Sequence, residues 1–473
     1  MAESLPLLLL ILAAFTALFA ALARRRPFTL LAGALLLLLV HEVLLRWAAN
    51  VLHASPQVVT GLSLWKDGAL LGLALAWGWK HLADRKQIGN AVALARGHPI
   101  GLAFGAAAVV GVLHILISPN RLAAIFAFRD YYEPVILLFL AGAFLPSRAQ
   151  LRRLLVLWLI ALALLALLGT WQTLAWTPDD YLRWGFGQAI SDLGVPPLEL
   201  GGVEILRGPS TLSGPNELGM HLVLGMIALA QLSFTAGKAQ RWAMAALGAW
   251  YAVALAVTYS RGDILAFPIG LAVVYLARRL KRTPLASPGL AVHAVMLVAL
   301  TLATVQSGLW GFMRSTAENL QQDYHVLDST EALQYLLEHP GGVGLGLVGP
   351  RIGAFFPEPE KVAFHIEGSI FQIAFELGVI GLAVWGVFSA LCLWRGWRAW
   401  MTAATAEMEL TAAVAVAGGL GSLVVFLFIP LMQSLTMMAW MWFFLGLTLA
   451  AVESERRWRQ LEAEPQLEPR DSP

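Results

Sequence analysis

The chain has 473 residues, of which 58% are hydrophobic and 13% are charged, and its formal net charge is +2. Soluble domains carry roughly 25% charged residues, so the composition excludes an ordinary soluble protein and predicts one that crosses a membrane many times. The near-neutral charge provides no basic surface for nucleic acid, and we expect no nucleic-acid partner. A single cysteine, Cys392, excludes an intrachain disulfide and a thiolate metal site.

Apolar segments of about 20 residues, the length that a helix needs to span a bilayer, recur along the chain. We predict thirteen of them and an all-α polytopic membrane fold with about 12–13 transmembrane helices. Their approximate bounds are residues 5–23, 27–45, 61–79, 99–118, 122–145, 151–175, 216–234, 242–258, 262–277, 286–305, 366–391, 409–429 and 431–452.

Lys and Arg cluster between alternate apolar segments, as at residues 24–26, 278–282 and 456–459. Basic clusters of this kind face the cytoplasm, which predicts an outer N-terminus and a cytoplasmic C-terminus. The same orientation puts two long polar segments, 176–215 and 306–365, on the outer face. Loops of this length are usually functional or disordered, and their aromatic residues favour a folded structure.

The predicted organisation therefore has six parts. They are N-terminal membrane helices (1–175), a first outer loop (176–215), central membrane helices with an outer hairpin (216–305), a second outer loop (306–365), C-terminal membrane helices (366–452) and a cytoplasmic tail (453–473). Within the second loop, residues 330–338 predict a short amphipathic helix. A flexible or tightly turned glycine-rich connection at 341–349 follows it.

Arg207 closes the first outer loop, just before a helix that we predict to begin with Gly214 as its cap and Pro215 as its first residue. The positive dipole end and unpaired N–H groups of that helix point to the outer face, where an adjacent Arg would complete a phosphate site. An interfacial Arg that contacts lipid headgroups explains the same pattern.

Arg261 lies between two apolar segments with almost no loop, which predicts a sharp hairpin with the guanidinium at the membrane surface. It is either a second anion-binding cation or a structural residue, paired with Asp263 or anchored at the interface.

His365 opens the segment after the second loop. At helical spacing it shares a face with Ser369, Gln372 and Glu376. Polar groups in a membrane helix normally face the bundle interior or a cavity. The face is therefore either a structural polar seam or the mouth of a cavity in which His365 acts as a general base.

Several stretches together resemble the bacterial O-antigen ligase and O-antigen polymerase family. They are residues 207–216 (RGPSTLSGPN), 258–262 (TYSRG), 338–346 (EHPGGVGLG), 365–367 (HIE) and 375–382 (FELGVIGL). The resemblance covers roughly residues 200–385. It implies an all-helical glycosyltransferase that is surrounded by the lipids of the bacterial inner membrane. Its active site is expected to face the periplasm.

The resemblance implies a donor glycan linked to undecaprenyl pyrophosphate and an acceptor hydroxyl on a glycan or on a lipid A–core-type molecule. It assigns the pyrophosphate to Arg207 and Arg261 and activation of the acceptor hydroxyl to His365. Asn216, Arg351, Glu367 and Glu376 are candidate supporting residues. We expect inversion at the anomeric carbon, and neither a metal nor another cofactor, because the pyrophosphate linkage already activates the donor. A transporter or flippase for a lipid-linked or anionic solute remains the alternative.

Overall fold

The computed structural model describes residues 5–82, 99–186, 198–200, 203–283, 287–310, 313, 330, 333–348, 366, 368–451, 454, 455 and 458. Its helices in chain order are α1 (Leu5–Ala23), α2 (Pro27–Asn50), α3 (Pro56–Ser63), α4 (Trp65–Leu82), α5 (Pro99–Ile117), α6 (Arg121–Tyr132), α7 (Ile136–Ala143), α8 (Arg148–Ala175), α9 (Pro178–Arg183), α10 (Pro215–Ser233), α11 (Lys238–Val257), α12 (Arg261–Leu280), α13 (Ser287–Gln306), α14 (Ser369–Thr402), α15 (Ala406–Ala412), α16 (Gly418–Phe428) and α17 (Leu435–Leu449).

Three shorter elements complete the described fold. A π-helical turn at Ala413–Ala417 joins α15 to α16, and a 3₁₀ turn at Leu431–Gln433 precedes α17. Before α10, strands β1 (Leu198–Leu200) and β2 (Val203–Ile205) form a two-stranded antiparallel hairpin. The predicted all-α polytopic fold is confirmed, with this hairpin as a small addition inside the first long loop.

Each of the thirteen predicted segments coincides with one helix or with consecutive helices. Within the described residues, eight helical segments are long and apolar enough to cross a membrane by length and composition. Helices α10, α11 and α12 are long enough but less apolar, and α17 is an apolar helix of 15 residues. The chain is therefore a multi-pass membrane protein.

One predicted segment, 122–145, is interrupted. Helix α6 ends at Tyr132, residues 133–135 form a turn, and α7 begins at Ile136. Pro134 explains the break, because proline has no backbone N–H to continue the helical hydrogen bonds.

Helix α10 forms the centre of the bundle. Almost all of its side chains are buried, including the polar residues Glu217, His221 and Gln231. It packs against α8, α11 and α12, while α14 packs against α5 and α12 against α16.

One end of the bundle gathers the cations predicted to be cytoplasmic, and we call it the basic end. Glu407 accepts from Arg152 at 2.6 Å and forms an ion pair with Arg148 at 3.1 Å. Glu409 forms an ion pair with Lys281. Three helices, α8, α12 and α15, are joined there by opposite charges.

Candidate active site

The loop that carries Arg207 runs along the end of α8, where two neighbouring side chains hold its backbone. Gln172 Oε1 accepts from the Ser210 N–H at 2.6 Å, and its Nε2 donates to the Ser210 carbonyl oxygen at 3.1 Å. The Thr173 hydroxyl accepts from the Gly208 N–H at 2.8 Å. Gly208 and Ser210 are buried, so these bonds satisfy backbone groups that bulk water does not reach. Arg207 itself is half-buried.

The conformation of this loop explains its glycine. A Cβ on Gly208 would lie 2.1 Å from the Gly169 carbonyl oxygen, closer than real Cβ contacts occur. Only glycine therefore lets the loop approach the α8 backbone this closely. Two residues later, Ser210 has a φ of 60°, a left-handed conformation that costs roughly 1–2 kcal/mol for a residue with a side chain. The two bonds from Gln172 offset that cost.

Arg46, a buried cation on α2, holds the other side of the same loop. Its guanidinium donates to the carbonyl oxygens of Leu212 at 3.3 Å and Ser213 at 2.8 Å. It also lies 4.5 Å from the centre of the Phe186 ring. Arg46 was not among the residues predicted for this site, although charged residues such as Glu42 and Arg46 within an apolar helix are a recognisable signal of a polar site.

The predicted start of α10 is confirmed, with Gly214 as the cap and Pro215 as the first residue. Glu217, in the first turn, accepts from the Ser213 N–H at 2.8 Å and from the Ser434 hydroxyl. Ser434 in turn caps α17, where its oxygen accepts from the Met437 N–H at 3.2 Å. The positive ends of two helices thus lie together behind the Arg207 loop. Asn216 is half-buried beside them.

Arg261 is the first residue of α12, directly after a tight turn, as predicted. Tyr259 within the turn has a φ of 55°, and burial raises the pKa of its hydroxyl. Arg261 is half-buried. Asp263, considered above as its ion partner, is fully buried and packs against α10, where a Cβ on Gly219 would lie 2.3 Å from its Oδ2.

The two arginine-bearing segments meet at Thr173. Its hydroxyl oxygen accepts from the Gly208 N–H and also lies 3.4 Å from the carbonyl oxygen of Val257, the last residue of α11. Gly208 directly follows Arg207, and Val257 precedes Arg261 by four residues. One side chain at the end of α8 therefore contacts both segments, which are far apart in sequence.

Glu376 supports the glycine-rich segment of the second loop. Its Oε1 accepts from the backbone N–H groups of Gly346 at 2.9 Å, Leu347 at 3.1 Å and Val348 at 3.1 Å. Such a concave set of N–H groups binds an anion, and here the protein's own carboxylate occupies it. Glu376 is completely buried, so its partners are protein groups.

Helix α14 is broken where this segment crosses it. Gly378 has a φ of 66°, outside helical geometry, and the Val343 and Gly344 N–H groups donate to the carbonyl oxygens of Phe375 and Glu376, each at 3.0 Å. The Val379 N–H donates to Pro340 at 3.0 Å. The predicted connection at 341–349 is thus tightly turned over its described residues. Non-helical backbone at membrane depth requires such internal partners.

His365, Glu367 and Arg351 lie outside the described residues. The start of the helix that follows them is described, and it begins at Ser369 rather than at the predicted residue 366. Ser369 Oγ donates to the Ile429 carbonyl oxygen at 2.7 Å, and Gln372 Nε2 donates to that of Ile366 at 2.7 Å. The predicted polar face of Ser369, Gln372 and Glu376 is therefore buried and bonded to backbone groups, which matches the structural interpretation for these three residues.

Charged residues inside two other predicted segments pair with each other, as the cost of burying charge requires. Arg129 on α6 lies 3.4 Å from Asp67 on α4, 3.6 Å from Asp130 and 3.3 Å from Glu133. Within the described part of the chain, no group of three or more His, Cys, Asp or Glu residues is arranged to hold a metal ion.

These features define a multi-pass membrane protein with a polar region opposite the basic end. There the two arginine-bearing segments contact Thr173, and two helix N-termini lie beside the Arg207 loop. Residues 220–386 match the protein family described as O-antigen ligase, which confirms the predicted family resemblance. The matched segment runs from α10 into α14; it includes Arg261 and His365, and Arg207 precedes it. Over this segment the chain is similar to the O-antigen ligase family, and this similarity suggests a glycan-transferring membrane enzyme. No curated protein matches the sequence significantly.

Proposed function

We propose that this protein is a membrane glycosyltransferase that moves an oligo- or polysaccharide from undecaprenyl pyrophosphate to an acceptor hydroxyl. The reaction takes place on the periplasmic face of a bacterial inner membrane. The observation that supports the donor site most directly is the contact of both arginine-bearing segments with Thr173. The match of residues 220–386 to the O-antigen ligase family supports the reaction class.

Arg207 and Arg261 bind the pyrophosphate in this proposal. Negative charge grows on the pyrophosphate as its bond to the sugar breaks, and two guanidinium groups stabilise that charge. Arg suits this role because it stays protonated and binds phosphate oxygens through two parallel N–H donors. The nearby N-termini of α10 and α17 add to the positive potential.

His365 removes the proton from the acceptor hydroxyl. The hydroxyl oxygen then attacks the anomeric carbon opposite the leaving pyrophosphate, so the new bond has inverted configuration. The proton passes to the imidazole, and the electron pair of the broken bond leaves with the pyrophosphate. A positioned base of this kind contributes roughly 10²–10⁴-fold to the rate. The reaction needs no metal in this scheme, because two arginines balance the charge.

Reconstitution of the purified chain with a lipid-pyrophosphate glycan and an acceptor tests this proposal. We expect glycan transfer from the wild type, with kcat lower by roughly 10²–10⁴-fold in His365→Ala. Arg207→Ala and Arg261→Ala should each lower kcat/KM for the donor by about tenfold or more. Arg153→Ala removes an exposed Arg at the basic end of α8 and is the matched control. This variant should leave kcat/KM for the donor unchanged. Wild-type rates in His365→Ala would contradict the mechanism, and movement of the donor across the bilayer without transfer would identify a transporter.

The acceptor distinguishes a ligase from a surface-polysaccharide polymerase. Loss of a ligase leaves finished polymer on the lipid carrier, whereas loss of a polymerase leaves single repeat units. Electrophoresis of lipid-linked and surface glycans from a deletion strain separates the two. Complementation with wild type, but not with His365→Ala, ties the result to this site.

A further inference from the structure

A continuous apolar stripe runs along the uncovered face of α8, a helix long and apolar enough to span a membrane. Its side chains are between 50% and 74% exposed and recur every three or four residues, the spacing of one helix face. They are Leu157, Ile160, Leu164, Leu167, Trp171 and Leu174. In a membrane this face meets lipid, since no described element covers it.

The stripe continues into an aromatic corner where the chain turns from α8 into α9. The Trp176 ring centre lies 5.7 Å from that of Trp171 and 5.7 Å from that of Trp184, which is stacked on it. Tyr181 and Phe186 fill the inner side of the corner. Leu182 and Trp184 each remain 46% exposed on the outer side.

Polar groups flank this apolar surface. Asp180 accepts from the Thr177 N–H at 2.9 Å and from its hydroxyl at 2.8 Å, which caps α9 and lowers the pKa of the carboxyl. The side chain of Arg183, next to Leu182, is 78% exposed. Exposed tryptophans beside charged groups at the end of an apolar span are typical of the bilayer interface.

The corner is attached to the Arg207 loop. Asn50 Nδ2 at the end of α2 donates to the Gly185 carbonyl oxygen at 2.8 Å, and Arg46 lies over the Phe186 ring. The same Arg46 guanidinium donates to the Ser213 carbonyl oxygen. The position of the corner and the position of the loop are therefore linked through α2.

We propose that the corner formed by Trp171, Leu174, Trp176, Leu182 and Trp184 inserts into the headgroup region of the bilayer. It thereby sets the height of the Arg207 loop relative to the membrane surface. Continuity with the lipid-facing stripe of α8 favours lipid over a glycan as the occupant, because Leu174 and Leu182 offer sugar hydroxyls no partner. This inference goes beyond the proposed enzyme reaction and does not depend on it.

Spin labels on the full-length chain in phospholipid nanodiscs test the proposal. The one native cysteine, Cys392, is buried and is replaced by serine. A nitroxide at Leu182→Cys should collide with oxygen, which concentrates in lipid, several-fold more often than with an aqueous nickel chelate. Arg183→Cys, one residue further on the same helix, is the matched control and should show the opposite preference.

Equal nickel accessibility at both positions would overturn the proposal. So would nickel accessibility at position 182 that only added free oligosaccharide reduces, because this result identifies a glycan surface. Trp184→Glu gives a second measurement, since a charge in the corner should lower the oxygen preference of the label at position 182. Thermal unfolding of each variant in detergent shows whether the fold is retained.

Discussion

Single side chains connect the parts of the site that lie far apart in sequence. Thr173 contacts Gly208, which follows Arg207, and Val257, which precedes Arg261 by four residues. Gln172 holds the Ser210 backbone through two hydrogen bonds. Neither residue belongs to a recognisable motif. Both residues lie at the end of an apolar helix, directly before a long loop. This position is the only feature of the sequence that points to them.

Replacement of Thr173 by valine tests the connection at this point. Valine keeps the shape of the side chain but leaves the buried Gly208 N–H without its acceptor, which should cost about 1–3 kcal/mol. We expect a lower midpoint of thermal unfolding and, if the site binds the donor, a higher donor KM. Thr173→Ser keeps the hydroxyl and should remain close to wild type. Equal behaviour of the two variants would mean that the hydroxyl does not hold the loop.

Glu376 offers a second test at the scale of one residue. Glu376→Ala leaves three N–H groups without their acceptor, two of them buried, and should cost about 3 kcal/mol or more of unfolding free energy. Glu376→Gln retains a carbonyl oxygen in the same place and should be clearly less destabilised. The control is Glu338→Ala, at an exposed position. Thermal unfolding in detergent measures all three, and a Glu376→Ala variant as stable as the control would contradict the structural role.

Broken helices are the distinctive feature at the scale of elements. Helix α14 changes direction at Gly378, and the backbone groups that the break frees are bonded to residues 340–344. The carboxylate of Glu376 holds the next residues of the same segment. The break and the glycine-rich segment therefore stabilise each other, and neither satisfies its backbone groups alone.

A pair of glycines on α14 makes this interdependence measurable. A Cβ on Gly378 would lie 2.5 Å from the Gly341 carbonyl carbon. Its φ of 66° and ψ of −170° fall in a region that essentially only glycine adopts, at a cost of roughly 1–3 kcal/mol for alanine before that clash is counted. Gly378→Ala should therefore lower the unfolding midpoint. Gly386→Ala, on the same helix with nothing within 4 Å of the new Cβ, should leave it unchanged or raise it. A loss of stability only in Gly386→Ala would contradict the assigned break.

The whole molecule separates two kinds of polar chemistry at its two ends. Carboxylates of α15 at the basic end pair with cations from other parts of the chain: Glu407 with Arg148 and Arg152 of α8, and Glu409 with Lys281. At the other end, Arg207, Arg261 and Arg46 gather near helix N-termini. Cations beside helix N-termini are an arrangement that favours an anionic ligand.

Reporter fusions test the orientation of these ends. We expect green fluorescent protein fused after residue 473 to fluoresce, because the basic end should face the cytoplasm. Alkaline phosphatase inserted in the 306–365 segment should be active, because that segment should face the periplasm. A non-fluorescent C-terminal fusion together with inactive phosphatase in the 306–365 segment would reverse the orientation and contradict the periplasmic site.

Local patterns predicted the features that depend on neighbouring residues. The membrane helices followed from runs of apolar residues, and the start of α10 followed from Gly214 and Pro215. The sharp turn before Arg261 followed from the absence of a loop. The division of 122–145 into two helices depended on Pro134, and the hydropathy pattern alone did not reveal it.

The sequence by itself determined the all-helical membrane class, the family resemblance and the residues proposed for catalysis, because hydropathy and short motifs are local properties. Only the tertiary structure decided that Arg46, Gln172 and Thr173 hold the Arg207 loop, and that Glu376 binds backbone N–H groups instead of lining an open cavity. Those contacts join residues from 28 to 167 positions apart. Their pairing depends on how the helices pack around α10, and no periodicity along the chain encodes that packing.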